Sequence, residues 1–180
     1  MSLERISKQL SEQQDKLPPV ELWDPPYCGE MDMVIKADGR WFYQGGEISR
    51  QRLVKLFSTV LKKQDGEYFL VTPVEKIKIQ VEQLPFVITQ WQWLDEARKD
   101  TMMLTTNLGD KVLLDADTQL QLNEDSSLQV TVRRNLDAAI HRNVFYQWAE
   151  MAQIREVNQR QQLYLSSGGV DHVIGELDDF

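Results

Sequence analysis

Two short stretches hold ionisable side chains where an apolar strand face would place them out of water. The first is Thr72-Pro73-Val74-Glu75-Lys76. In a strand that follows Pro73, period two puts Ile77, Ile79 and Val81 on one face, and Glu75 falls on that same apolar face. Lys76, Lys78, Gln80 and Glu82 point the other way. A carboxylate on a buried face needs a partner, because an unpaired buried charge is expensive. Glu75 is therefore either half of a structural ion pair, or a group facing a ligand. The second stretch is Val130-Thr131-Val132-Arg133-Arg134-Asn135-Leu136-Asp137. Alternation places Arg134 with Leu128, Val130 and Val132, and Arg133 on the opposite face. If a helix starts here, capped by Asn135 or Asp137, its free amides and an arginine fork together suit a carboxylate or phosphate. The plainer alternative is a solvated strand end whose arginines pair with Glu or Asp, Glu75 included. The candidate ligand-binding residues are thus Arg133, Arg134, Asn135, Glu75, Lys76 and Thr72, with Trp41 as an aromatic wall.

Composition narrows the field. Lys+Arg number 20 against Asp+Glu 28, a formal charge of -8 in 180 residues. An acidic balance argues against general nucleic-acid binding, which wants a basic face. Against that background the segment 128–143 is locally basic, with Arg133, Arg134 and Arg142 facing only Asp137. One cysteine rules out an internal disulfide, and no Cys/His cluster offers a zinc site. The longest apolar runs fall far short of the ~20 residues of a membrane span, and residues 1–20 lack the apolar core of a signal peptide. A cytoplasmic protein without a membrane or nucleic-acid partner is expected. No P-loop, GxGxxG, GxSxG, HExxH or CxxC occurs. Cys28 reads as a buried small hydrophobe, His141 as a half-buried packing residue beside Phe145, and His172 lies in a poorly patterned tail. No catalytic residue, metal or cofactor is expected.

The elements that must position these groups follow from periodicity. Leu3, Ile6 and Leu10 recur at helical spacing, and Pro18-Pro19 stops that helix. Asp38-Gly39 reads as a two-residue hairpin loop, which sets Ile35 opposite Phe42, Val34 opposite Tyr43 and Lys36 opposite Trp41, with both faces covered. Residues 49–63 form an amphipathic helix capped by Ser49, with Ile48 and Leu53 as its staple and Leu53, Leu56, Phe57, Val60 and Leu61 as its stripe. Strands follow at about 67–72, 75–82, 86–94, 101–107, 111–115, 119–123 and 128–134. A second helix runs from Asn135 or Asp137 to about Gln153, its apolar stripe including Leu136, Ile140, Val144 and Trp148. Ser166 to Gly169 turn a short hairpin, and residues 176–180 fray. Tryptophans 23, 41, 91, 93 and 148 read as core rather than as stacking platforms, although Trp91 and Trp93 share one face of a strand and could wall a pocket.

Several of these runs look familiar together. Cys28-Gly29-Glu30-Met31-Asp32-Met33, Asp38-Gly39-Arg40-Trp41-Phe42-Tyr43-Gln44-Gly45, Ile48-Ser49-Arg50, Leu56-Phe57 and Tyr68-Phe69-Leu70-Val71-Thr72-Pro73-Val74-Glu75-Lys76 resemble a bacterial family of uncharacterised proteins, domain-of-unknown-function family twelve-eighty-five. The likeness continues through Thr106-Asn107 and Val132-Arg133-Arg134-Asn135-Leu136-Asp137-Ala138, spanning roughly residues 23–152. The resemblance implies a duplicated α+β core with a pleckstrin-homology-like second half. It also implies a small-ligand site between the halves, for a nucleotide-like molecule, and a role in signalling.

The expected architecture is α+β, with two β-rich lobes, each a mainly antiparallel sheet with one packed helix. Residues 1–22 form a helix and linker, 23–95 the first lobe, 96–153 the second, and 154–180 a tail, the acidic connection 95–100 marking the lobe boundary. The expected function is non-catalytic binding of a small anionic ligand in the cleft between the lobes. The alternative is a protein–protein interaction module working through an apolar patch or strand edge.

Overall fold

The computed structural model describes residues 3–10 and 17–177. The polar stretch 11–16 and residues 178–180 lie outside the described residues, as do the expectations made for them. The chain divides into two compact units, Met1–Gln83 and Leu84–Phe180. The boundary thus falls before the strand beginning at Phe86 and not in the expected 95–100 connection. That strand belongs to the second unit because all its ladder partners lie there.

In the first unit the terminal helix α1 (Leu3–Leu10) buries Ile6 and Leu10, the positions its spacing selects, and packs on the second helix. Strands β1 (Tyr27–Ile35), β2 (Trp41–Tyr43) and β3 (Gly46–Glu47) form a meander, α2 (Gln51–Thr59) follows, and β4 (Leu61–Gln64), β5 (Glu67–Val71) and β6 (Lys76–Val81) form a second meander. The sheet order is β3-β2-β1-β6-β5-β4, antiparallel except for the parallel β1–β6 pair at its centre. Met33, Ile35, Trp41, Phe57, Leu61 and Leu70 are each at most 1% exposed and make the core. Burying each such side chain is worth about 1.5–3 kcal/mol.

Three expectations in this unit need correction. The first hairpin pairs Ile35 with Trp41 and Val34 with Phe42, one residue away from the two-residue-loop register. Lys36 N–H donates to Arg40 O at 2.8 Å and Gly39 sits at φ 87°, so the loop has three residues with glycine in the left-handed position. The hairpin's second face is also only half covered, with the Lys36 and Arg40 cations lying over the Phe42 ring. The helix is shorter than 49–63. It begins after Arg50, which makes no side-chain cap, and ends at Thr59, so Leu61 and Lys63 belong to β4, where pairing with β5 outweighs helical continuation.

The second unit holds β7 (Phe86–Trp93), β8 (Met102–Thr106), β9 (Lys111–Leu114), β10 (Gln121–Leu122), β11 (Leu128–Arg133) and β12 (Leu136–Ile140), then α3 (Arg142–Met151). Its sheet order is β10-β11-β12-β7-β8-β9, with β12 and β7 parallel. Numbered from its own first strand this is 3-2-1-6-5-4, the order of the first unit. The repeated topology fits a duplication in which the helix sits between the meanders once and after them the other time. The parallel central pair does not by itself identify a pleckstrin-homology-like fold. The helix expected from Asn135 or Asp137 starts only at Arg142. Leu136 and Ile140 are strand residues, and the cap is His141, exposed rather than packed, whose Nδ1 accepts Asn143 N–H at 3.2 Å. The tail is ordered into a three-stranded antiparallel sheet of β13 (Gln153–Val157), β14 (Arg160–Ser167) and β15 (Val170–Leu177). Its expected hairpin turn is Gly168-Gly169, both at positive φ.

Candidate functional site

The arginine corner lies where β11 turns into β12. The turn is Arg134-Asn135, and the ladder slips between Thr131 and Arg133. That bulge breaks period two at Val132 and reverses the expected faces. Arg133 turns inward, with its side chain 10% exposed and its guanidinium centre 4.8 Å from the centroid of the buried Phe86 ring. There is no helix N-terminus at this point, so amide dipoles contribute nothing to an anion site here.

Arg133 is tied to Asp110 by an Nη1–Oδ1 ion pair. The β8–β9 turn positions that aspartate. Thr106 Oγ1 donates to Asp110 Oδ2 at 3.2 Å and accepts the Leu108 and Asp110 amides. Asn107 clips the same turn to β7 by accepting Val87 N–H at 3.1 Å and donating its own amide to Val87 O at 2.8 Å. Burial lowers the pKa of Arg133 below its usual range. The Asp110 carboxylate opposes that shift, and the neighbouring Arg134 cation adds to it. Arg134 also adopts φ 53°, the left-handed region, which a hairpin turn normally assigns to Gly, Asn or Asp and which costs another residue roughly 1–2 kcal/mol.

The topologically equivalent turn of the first unit, β5 to β6, holds the other expected group. Thr72 is 1% exposed, and its Oγ1 accepts the Glu75 amide at 3.1 Å and the Val74 amide at 3.4 Å, which shapes the turn. Glu75 lies on the buried face as alternation requires, at 8% exposure. A cation, Arg5 of α1, lies 3.9 Å from its Oε1 and is largely solvent-exposed. Glu75 Oε2 has no hydrogen-bond partner among the described residues. Lys76 lies 5.1 Å over the Phe69 ring and donates to Gln64. Trp41, at 1% exposure, is a core side chain. The structure thus gathers Arg133, Arg134 and Asn135 at one turn, and Thr72, Glu75 and Lys76 at another.

One feature of the first unit escapes the sequence reading. A pocket of about 200 Å³ is lined by Cys28, Glu30, Asp32, Tyr43 and Gln44 over the buried Met31 and Ile77. Cys28 is exposed, its thiol donating to Pro26 O at 3.2 Å, which overturns its expected burial. Alternation of Cys28, Glu30 and Asp32 with Met31, Met33 and Ile35 was the available signal. Its carboxylates disfavour an anion. Among the described residues no cluster of His, Cys, Asp and Glu could hold a metal, and no helix is long and apolar enough to cross a membrane.

The fold has known relatives. The model of the DUF1285 N-terminal domain, a domain of unknown function, matches residues 18–84, and that of the DUF1285 C-terminal domain matches residues 85–174. The junction of the two coincides with the boundary between the units. A DUF1285 family protein from Silicibacter pomeroyi DSS-3 superimposes with a TM-score of 0.81 at 32% identity, covering 96% of this chain and 93% of that one. A second, from Shewanella baltica OS155, gives a TM-score of 0.54 at 28% identity over 67% of this chain and 91% of its own. No curated protein matches the chain. With both domain models matched in order and a relative at 32% identity aligned over nearly its whole length, the chain belongs to the DUF1285 family.

Proposed function

We propose that the protein is a non-catalytic binding module whose Arg133–Asn135 corner takes a small anionic ligand bearing a phosphate or carboxylate, of the nucleotide-like kind. The observation that carries this reading is a pair of consecutive arginines at a strained turn. An arginine at φ 53° costs more than a glycine or asparagine there, and such strain concentrates at sites where the side chain itself has a use. Arg133 is pre-oriented by Asp110 and Phe86, so little side-chain entropy remains to be lost when an anion docks. A signalling role fits a protein that binds without turnover.

Thermal-shift titration with inorganic phosphate and with nucleoside mono- and triphosphates tests this. Saturating ligand at a hundredfold excess over Kd stabilises the native state by about 2.7 kcal/mol, and the shift shrinks as salt rises. Arg134→Gly relieves the backbone strain yet removes the guanidinium, so it keeps or raises the melting temperature while losing the ligand response. If none of these anions shifts wild type, the reading fails.

A second reading, a protein–protein interaction module, is favoured by β13. It is the outer strand of its sheet, with Ile154 60% exposed and Val157 37% exposed, and free strand edges recruit partners. Ile154→Lys then abolishes any association seen by analytical ultracentrifugation while leaving the anion response intact.

A further inference from the structure

We infer that His172 is a pH-sensitive latch that holds the β13–β15 sheet against the rest of the second unit and releases it on acidification. The hairpin tip of that sheet is inserted, not merely adjacent. Ser167 Oγ donates to Leu114 O at 2.6 Å at the end of β9 and accepts Met102 N–H at 2.8 Å at the start of β8. Gly168 N–H donates to Asp100 O at 2.8 Å. A side chain at Gly168 would meet the Asp115 Cβ at 2.4 Å and its Cα at 2.5 Å, so the turn lies directly on the β9–β10 connection.

His172 closes the same joint from inside. It is 2% exposed. Its Nδ1 accepts Leu120 N–H at 3.4 Å, and its Nε2 faces Ser167 O at 3.1 Å. The neutral ring protonated on Nε2 satisfies both contacts. An imidazolium cannot, because it places a second N–H against that of Leu120 and must be desolvated as well. The charged groups acting on the ring are Asp171 of its own strand and Asp115 of the β9–β10 connection, and both favour the cation. Asp171 is spent on Arg155 at 3.1 Å and Ser166 at 2.7 Å. Asp115 caps its own turn by accepting the Asp117 and Thr118 amides. Burial outweighs them and lowers the ring's pKa below the usual value of 6.5. A depressed histidine contributes its stability in full above about 6.5, and the contribution is lost as pH falls through that value toward the folded one.

Hydrogen exchange followed by mass spectrometry on the full chain at pH 7.5, 6.5 and 5.5, corrected for intrinsic exchange, tests the latch. The opening equilibrium of residues 160–177 rises by up to about tenfold per pH unit below 6.5, while β7, β8 and β11 keep their protection. His172→Gln, which can still accept at Oε1 and donate at Nε2, removes that pH dependence. The same pH dependence in His172→Gln overturns the inference, as does uniform loss of protection across the unit. Should the variant fail to fold, NMR titration of His172 in wild type decides. A ring pKa at or above 6.5 refutes the latch, and one below it supports the latch.

Discussion

The two units solve one topological problem with the same strand order and different polar chemistry. In each, a first and a second three-stranded meander meet through a parallel central pair. In each, the connection before the last strand carries ionisable groups. In the first unit that turn holds Glu75, buried and met at 3.9 Å by the largely exposed Arg5 side chain of α1. In the second it holds Arg133, buried over Phe86 and tied to an aspartate that a threonine and two turn amides position. A shared fold therefore does not dictate a shared site. The better-built charge cluster is in the second unit, which also gained a docked extra sheet.

Perturbations of matched positions test that difference. The largest effects are expected where the two units are alike. Phe57→Ala in α2 and Trp148→Ala in α3, both fully buried, each cost about 3–5 kcal/mol in urea unfolding. A loss under about 1 kcal/mol for either would mean that its helix is not a core element. Next is the glycine pair at the tip of the extra sheet. Gly168→Ala has to displace the Asp115 backbone and leave φ 61°, a loss of about 2–4 kcal/mol in docking. Gly169→Ala meets nothing within 4 Å and loses only about 1 kcal/mol. Equal effects would show that the tip is not inserted.

The contrast between the charged turns gives the sharper test. Asp110→Asn strips the buried Arg133 of its carboxylate and costs about 3 kcal/mol. Glu75→Gln removes a buried charge whose pairing is already long, so chemical denaturation shows a loss below about 1 kcal/mol or a small gain. A larger loss for Glu75→Gln than for Asp110→Asn would reverse the ranking of the two sites. The smallest effect is pH-linked. Wild type loses stability in the second unit as pH falls below about 6.5, because opening lets His172 take up a proton that burial disfavours in the fold. Thermal melts of His172→Gln lack that component.

How much of this was legible varies residue by residue. Glu75 on a buried face, Ile6 and Leu10 on the docked side of α1, and most strands from 67 to 133 followed from period alone, because alternation is a local property of the chain. Arg133 was placed on the wrong face, because a single-residue bulge inverts parity and leaves no mark in composition. The hairpin at Asp38-Gly39 was recognised and its register missed, because glycine serves both the two-residue and the three-residue loop. The start of α3 was misplaced because Leu136 and Ile140 suit a helix stripe and a central strand equally well, and pairing with β7 chose the strand.

By itself, then, the sequence determined the class of the fold, the approximate elements, the core faces and the family, all of which depend on short-range patterning and burial. Long-range contacts settled that the halves share one strand order, that Arg133 is bound to Asp110 twenty-three residues away, and that Ser167 seals an extra sheet onto β8 and β9 while His172 ties it to the β9–β10 connection. Those outcomes depend on ladders and polar contacts between residues distant in the chain. Their partners are selected by competition among packings, a global free-energy balance that no local window contains.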